Sequence, residues 1–586
     1  MEEQERKTLD WKLLKRLFPY LRNHSLLLGL ALFFMLGVDV TDVLYPYLVK
    51  IGIDHNIAAG DIPGLLRTGW LLGLTLFGHF LCFVLFLYSV EYLGQRLLFD
   101  LRLDLFKKVL ALSNDYFDTT PVGKPLTNVT NDVEAIREFI SDGVVSVVSD
   151  LLKLGFIVVA MLLVNTTLAL LAFITIPFFV LATAVFRKSI RSGYRETRKA
   201  TTEINTSLVE TITGIREINL FNHKEPSKKT FAGYNTHYRD AYLRVVHAYS
   251  LYFPVIEIIS NVSMIIILLY MHSAMGYSLR VGLIFAFFSY INMFFKPLRQ
   301  LAENFNMFQS AMAAAERIFK LLERNVTIMP SAHPKRIPDT PVQGKITFDQ
   351  VNFAYIPGTP VLKNVSFTIQ PGEKVAIVGY TGSGKTTIIN LLNRLYDVQT
   401  GIILIDGVNV KEYDLRDLRT RIATVPQDIF LFTGTVAENI SLHHPQITQK
   451  DIEYAAQQVY ANRYIERLPN KYDENILEEG KLLSVGQKQL LSFARAFVRN
   501  PSIVVLDEAT SNIDSETEFL IEAGVKNLLA GKTAIIIAHR LSTIKSVDRI
   551  LVFHKGELVE EGTHQRLLQQ EGLYRQLYDM QAFLLN

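Results

Sequence analysis

The run Gly379-Tyr-Thr-Gly-Ser-Gly-Lys385-Thr386 places glycines, hydroxyls and a lysine at the spacing of a loop that wraps a polyphosphate. It follows Val375-Ala-Ile-Val378, an apolar run that reads as a strand. Glycines at 379, 382 and 384 let the backbone amides, through Thr381 and Ser383, curl around phosphate. The helix that follows, carrying Thr387, turns its positive end toward the same point. Lys385 would reach the β- and γ-phosphates, and the Thr386 hydroxyl suits Mg²⁺. A second run, Ile503-Val-Val-Leu-Asp507-Glu508, is a strand ending in two acids. Asp507 can hold the Mg²⁺ shell, by way of a water, and Glu508 can polarise an attacking water. The chemistry these residues predict is binding of a nucleotide polyphosphate with Mg²⁺ and hydrolysis of its terminal phosphate.

The elements that carry these motifs occupy less than half of a long chain. Its 586 residues are 49% hydrophobic and 20% charged, with a mean hydropathy of +0.21, which predicts a membrane part joined to a soluble part. A net charge of +3 is too small to argue for nucleic acid, and none is expected as a partner. Cys82, the only cysteine, excludes an intrachain disulfide. Six apolar segments precede residue 310, at roughly 26–49, 69–93, 139–164, 166–186, 247–271 and 279–298, each near the ~20 residues that span a bilayer as a helix. The third, with Asp142, Asp150 and Lys153, and the fifth, with Glu257, are the least apolar in pattern.

Charge between the segments alternates. Arg96, Arg102, Lys107 and Lys108 follow the second, and Arg187, Lys188, Arg191, Arg195, Arg198 and Lys199 follow the fourth, whereas Asn165-Thr166-Thr167 has no base. The bias of Lys and Arg toward the cytoplasm places both termini and the two long loops inside the cell, with the chain a multi-pass protein of the cytoplasmic membrane. Residues up to Arg22 read as an amphipathic elbow helix along the membrane surface. The expected domains are 1–323 in the membrane, a proline-punctuated linker at 324–342, and 343–586 for the nucleotide. From Lys345 onward, short β runs alternate with helices, predicting an α/β domain with an antiparallel β portion at its start.

Leu483-Ser484-Val485-Gly486-Gln487, about a hundred residues after the phosphate loop, resembles the signature peptide of ATP-binding-cassette (ABC) proteins. Nearly the whole chain is similar to a bacterial ABC exporter half-transporter of the multidrug and lipid export type. The resemblance implies a type I exporter fold: a six-helix all-α transmembrane domain with long cytoplasmic helical extensions, then an α/β P-loop nucleotide-binding domain with antiparallel β and helical subdomains. It also implies residue roles. Tyr355 resembles the aromatic that stacks on adenine, and Gln427 the glutamine that touches Mg²⁺ and water. His539 resembles the switch histidine near the γ-phosphate, and Asp514 the loop that crosses a dimer interface. Ser484, Gly486 and Gln487 would complete the site of a second nucleotide domain, so the working unit would be a dimer. Phe117–Gly123 with Val129–Asp132, and Glu210–Glu225, resemble the family's two intracellular loops. Departures are Asn128, where arginine is common, Val485 for a glycine, and Leu477 for a frequent glycine before Glu478 and Glu479.

The leading functional expectation is ATP-driven export of hydrophobic or cationic amphipathic small molecules by alternating access. Flipping of a lipid is the alternative within the fold, and an ATP-gated channel a distant one. The Leu-Ser-Val-Gly-Gln-Lys form resembles bacterial heterodimeric drug exporters, which implies a different half-transporter as partner, with a homodimer as the alternative. Asp39, Asp42 and Glu257 are expected to line a polar vestibule that favours cations, against the simpler reading of pairing between helices.

Overall fold

The computed structural model describes residues 11–275, 280–329, 335, 343–477, 480, 483–507, 515–538 and 544–585. Glu478, Glu479, Glu508, Asp514 and His539 lie outside the described residues, as do the linker prolines at 330, 334, 338 and 341. The chain divides into two compact units, Met1–Leu110 with Val122–Arg324, and Ala111–Pro121 with Asn325–Asn586. The tip of the first intracellular loop thus belongs with the second unit, whereas the sequence placed it within a first domain of 1–323. Ser113 Oγ accepts from the Thr327 hydroxyl at 2.6 Å, which fixes that tip to the second unit's own chain.

The first unit is helical. A surface helix α1 (Trp11–Asn23) leads into α2 (Ser25–Ile51) and α3 (Ile62–Ala111), the latter reaching the short helix α4 (Asn114–Thr119) of the second unit. A helical run from Gly123 ends in α5 (Val145–Val164), followed by α6 (Thr166–Phe173), α7 (Ile176–Thr213), α8 (Lys224–Met275) and α9 (Val281–Leu322). Among the described residues five helical runs are long and apolar enough to cross a membrane: Ser25–Ile57, Ile62–Ala111, Gly123–Val164, Thr166–Thr213 and Lys224–Ser273. The sixth apolar stretch, Val281–Pro297, is shorter among the described residues and continues as the same helix to Leu322. At 50 and 52 residues, α3 and α8 are each about 75 Å long. A hydrocarbon core takes up only ~30 Å of that, so the remainder projects into water as a stalk.

Local chemistry sets the boundaries. Asn165, in extended conformation, ends α5, and its side chain accepts from Leu168 N at 3.0 Å to start α6. Wide π-type turns at Asn128–Asp132 and Phe139–Val144 interrupt the run before α5. Inside the bundle, Ile157, Met161, Phe179, Ile256, Phe287, Tyr290 and Phe295 form one buried cluster. The Tyr290 hydroxyl donates to Val43 O at 2.9 Å, tying α9 to α2. Trp70, Leu74, Phe77 and Phe80 on α3 are exposed, the reverse of a water-soluble surface and the pattern of a helix that meets lipid.

The second unit is an α/β domain. A four-stranded antiparallel sheet has the order β2-β1-β4-β5, from β1 (Ile346–Phe353), β2 (Leu362–Ile369), β4 (Thr400–Ile405) and β5 (Val408–Asn409). A six-stranded sheet has the order β12-β11-β3-β10-β9-β6. It comprises β3 (Lys374–Gly379), β6 (Ile422–Val425), β9 (Ile503–Asp507), β10 (Thr533–Ile537), β11 (Arg549–His554) and β12 (Glu557–Gly562), all parallel except the edge pair β11/β12. Its inner strands are buried on both faces, which explains their unbroken Val/Ile/Leu runs. A two-stranded ribbon, β7 (Gly434–Thr435) with β8 (Asn475–Ile476), accompanies a helical portion.

The first intracellular loop is anchored by charge. Arg317 on α9 donates to both Asp132 oxygens, at 2.9 and 2.6 Å, and Asp132 is 3% exposed. With its amide turned to donate, Asn128 reaches the same carboxylate at 3.0 Å. The departure to asparagine at 128 therefore supplies Asp132 with a neutral second donor. Removing one partner of such a buried pair leaves a charge without compensation. Arg317→Ala should lower stability by about 2 kcal/mol, discounted for its half-exposed side chain, and Asp132→Asn in the same chain should recover part of the loss. Apparent Tm values of the four chains in detergent measure the coupling, and strictly additive losses would show that the pair does not anchor the loop.

Candidate functional site

Parallel register lines up the chemistry at one edge of the six-stranded sheet. Ile537 of β10 stands opposite both Ile377 of β3 and Asp507 of β9. Val425 of β6 stands opposite Leu506. The phosphate loop, Asp507 and the segment bearing Gln427 therefore leave the sheet together at its carboxyl end, where ligands of such sheets bind. Glu508 is the next residue after Asp507 and His539 the second after Ile537 in sequence; both lie outside the described residues.

The loop has the backbone its glycines predict. Gly379, Gly382 and Gly384 have φ of 155°, 81° and 100°. A Cβ at Gly384 would stand 2.6 Å from Leu362 Cδ2, while one at Gly382 would meet nothing within 4 Å. Glycine is thus required at 384 by packing as well as by φ, and at 382 the backbone lies open to a ligand. α10 (Lys385–Leu392) starts immediately afterward. The Lys385 amine donates to Gly379 O at 2.8 Å and Tyr380 O at 2.9 Å, folding back over the loop. Burial pushes its pKa down and Asp507 partly opposes that shift, so phosphate oxygens would restore what burial removes. Ser383 is 3% exposed, and its hydroxyl oxygen has no partner among the described residues. Thr386 is exposed. A buried orphan hydroxyl, an open glycine and a desolvated amine in one loop fit a polyphosphate; Thr386, Asp507 and Gln427 offer the oxygen donors that Mg²⁺ prefers.

Beside the loop, Tyr355 is 42% exposed, and its hydroxyl donates to Thr387 Oγ1 at 3.3 Å while accepting from Asn390 Nδ2 at 3.2 Å. Edge-to-face contacts with Phe353 (4.9 Å) and Tyr396 (5.1 Å) hold its ring. The Tyr396 hydroxyl in turn donates to Asp118 of α4, and burial together with that carboxylate raises its pKa. Asn390 and Tyr396 escaped the sequence reading. Nothing in Arg394-Leu-Tyr396-Asp397 separates this tyrosine from a core aromatic until Asp118, far away in sequence, is placed against it.

The signature peptide forms a helix start. Ser484 caps α11 (Val485–Phe497): its Oγ accepts from Gln487 N at 3.2 Å, and Gln487 Oε1 accepts from Ser484 N at 3.0 Å. Gly486 is buried, and Val485 is 56% exposed, so the departure at 485 meets solvent rather than the core. Among the described residues no hydrogen bond or ring contact joins 483–487 to the phosphate loop.

The acids of the membrane helices are not brought together as the sequence suggested. Asp39 is 1% exposed, packed between helices. Asp42 is engaged by Lys153 and by His79 Nδ1 at 3.3 Å. Glu257 sits exposed on α8. Within this single chain Asp42 takes the interhelical pairing that the sequence analysis set against a vestibule, and Asp39 is buried where α2 meets α5.

Known proteins share this organisation. The family model described as the ABC transporter transmembrane region matches residues 28–298, and the ABC transporter model matches 362–511. The chain is 37% identical over 486 residues to the "Fatty acid ABC transporter ATP-binding/permease protein" of Mycobacterium bovis, covering 82% of this chain and 76% of that one. It is 35% identical over 522 residues to the "Probable multidrug resistance ABC transporter ATP-binding/permease protein YheH" of Bacillus subtilis, covering 88% and 77%. A solved bacterial Atm1-family ABC exporter with ATP bound superposes with a TM-score of 0.76 at 26% identity, over 96% of this chain and 98% of that one. Membrane-crossing helices followed by a phosphate loop, an acid-tipped strand and a signature cap, matched by relatives that cover 82% or more of this chain, make it a member of the ABC transporter family: a multi-pass exporter half-transporter whose cytoplasmic nucleotide-binding unit is an ATPase.

Proposed function

We propose that this half-transporter pairs with a second one and uses ATP to export hydrophobic or amphipathic small molecules across the cytoplasmic membrane. The observation that carries the pairing is the separation inside one chain between the phosphate loop and the helix capped by Ser484. Each is half of an anion site. A helix N-terminus that presents Ser484 and the backbone at Gly486 suits the γ-phosphate of ATP held on the partner's loop. Exposed Ile212, Ile215, Leu220 and Phe221 at the tip of the second intracellular loop also favour a partner surface.

In this reading Lys385 and the amides at Thr381–Thr387 hold the β- and γ-phosphates, and Tyr355 offers its ring to adenine. Mg²⁺, held by Thr386, Gln427 and Asp507, would neutralise charge that develops on the phosphate oxygens. Glu508 orients and deprotonates the attacking water, and His539 contacts the γ-phosphate. Loss of that phosphate removes the ligand common to both chains, and the two nucleotide units part. ATP drives the cycle only through its differential affinity for closed and open pairs. Asp118 and Tyr396 give that opening and closing a route to the stalk that ends in α4. The form of the signature peptide favours a different half-transporter as partner. The fatty-acid relative favours a second reading, in which the cargo is a lipid rather than a drug.

Glu508→Gln should abolish hydrolysis while ATP still binds and holds the pair closed; ordinary turnover in that variant would remove Glu508 as the base. Lys385→Ala should weaken nucleotide affinity by at least tenfold in equilibrium binding, and undiminished affinity would refute its contact with phosphate. For partner and cargo, the tagged chain expressed alone should give little ATP-dependent uptake into inverted vesicles. Co-expression with a second half-transporter should restore uptake. A fully active complex with the mass of two copies of this chain would replace the heterodimer by a homodimer, and uptake of labelled lipid but no dye would select the lipid reading.

A further inference from the structure

α2 and α5 carry a ladder of polar side chains through the apolar bundle. The Ser149 hydroxyl donates to Asp39 Oδ1 at 3.4 Å, and one turn further along both helices Lys153 donates to Asp42. The other Asp42 oxygen lies 3.3 Å from His79 Nδ1 of α3, which is also 3.1 Å from Thr41 Oγ1. Asp150, next to Ser149, is 8% exposed. One oxygen of Asp39 and one of Asp150 are buried without a hydrogen-bond partner among the described residues. Charged side chains at such depth are costly unless paired.

The acids of the ladder are not compensated alike. Lys153 contacts Asp42 directly. Among the described residues Asp39 has no ion-pair partner, and its one hydrogen bond comes from a neutral hydroxyl.

We infer that Asp39 is a proton-binding site within the membrane bundle, a carboxyl that carries its proton in this conformation and exchanges it with water when the transport cycle opens the bundle. Asp39 and Asp42 lie three residues apart on one face of α2. The Asp42 and His79 side chains are 27% and 33% exposed, whereas Asp39 is closed off by its own chain. On release, the O–H bond of Asp39 breaks and its proton passes to a water molecule, leaving the carboxylate; uptake reverses the step. The network fits a proton better than an organic cation, because Asp39 is enclosed by its own chain. The inference does not need the export reading, since its first test involves no cargo.

The test uses the full chain in its working dimer in lipid nanodiscs. Infrared difference spectra between alkaline and neutral pH should show a protonated-carboxyl C=O band, which Asp39→Asn removes. Ser149→Ala, which keeps the acid but deletes its donor, should shift that band. ATPase activity should fall with rising pH as Asp39 loses its proton, and Asp39→Asn, permanently neutral, should lose that fall at least in part. An identical band in wild type and Asp39→Asn would overturn the assignment, as would superimposable pH profiles. A profile that moves with sodium concentration at fixed pH would also overturn it, by putting a metal cation in the proton's place.

Discussion

A polyphosphate needs many donors, and among the described residues two places offer them without a hydrogen bond or ring contact between them. The loop at 379–387 offers amides, an amine and an orphan hydroxyl; the capped start of α11 offers a second positive end. Much of the remaining architecture follows from that division. The parallel sheet fixes Asp507, Gln427 and the phosphate loop at one edge, because strands in register must end at the same level. The helical portion then carries Ser484 on a separate element. Its capping box satisfies Ser484 N and Gln487 N, and the serine lies at the surface.

Within the second unit the short helix α4 and the nucleotide site are linked by few, specific groups. Within the second unit, Asp118 accepts from Tyr396, and Tyr396 packs edge-to-face on Tyr355, whose hydroxyl reaches the helix after the phosphate loop. Each contact is modest alone, but the series is rigid: aromatic rings have few rotamers and the hydrogen bonds are directional. In the first unit, Asp132 does comparable work, binding an intracellular loop to α9 through Arg317.

The membrane part obeys a different solvent. Its outward faces carry Trp70, Phe77 and Phe80, while Tyr290 spends its hydroxyl on a backbone oxygen of α2. Against that background the Asp39–Asp42–Ser149–Lys153 ladder is unusual, since polar groups in hydrocarbon are stable only when matched. Asp42 is matched by Lys153, whereas one oxygen of Asp39 and one of Asp150 have no hydrogen-bond partner among the described residues.

By itself the sequence determined the phosphate loop, the signature cap and the plan of membrane helices followed by a nucleotide-binding unit. Glycine spacing, the acid-tipped strand and the signature peptide are local in sequence, and apolar runs with alternating loop charge are properties of windows, so their physics is visible without a fold. Short strands such as Ile422–Val425 and Glu557–Gly562 were not singled out, because a few residues at a sheet edge carry little pattern of their own. Tertiary structure alone decided which acids are paired and which are not. It placed Asp42 against Lys153, 111 residues away, and Tyr396 against Asp118, 278 residues away. Whether a carboxylate serves as a ligand, a strut or a proton site depends on neighbours brought by packing, and no window of sequence contains them.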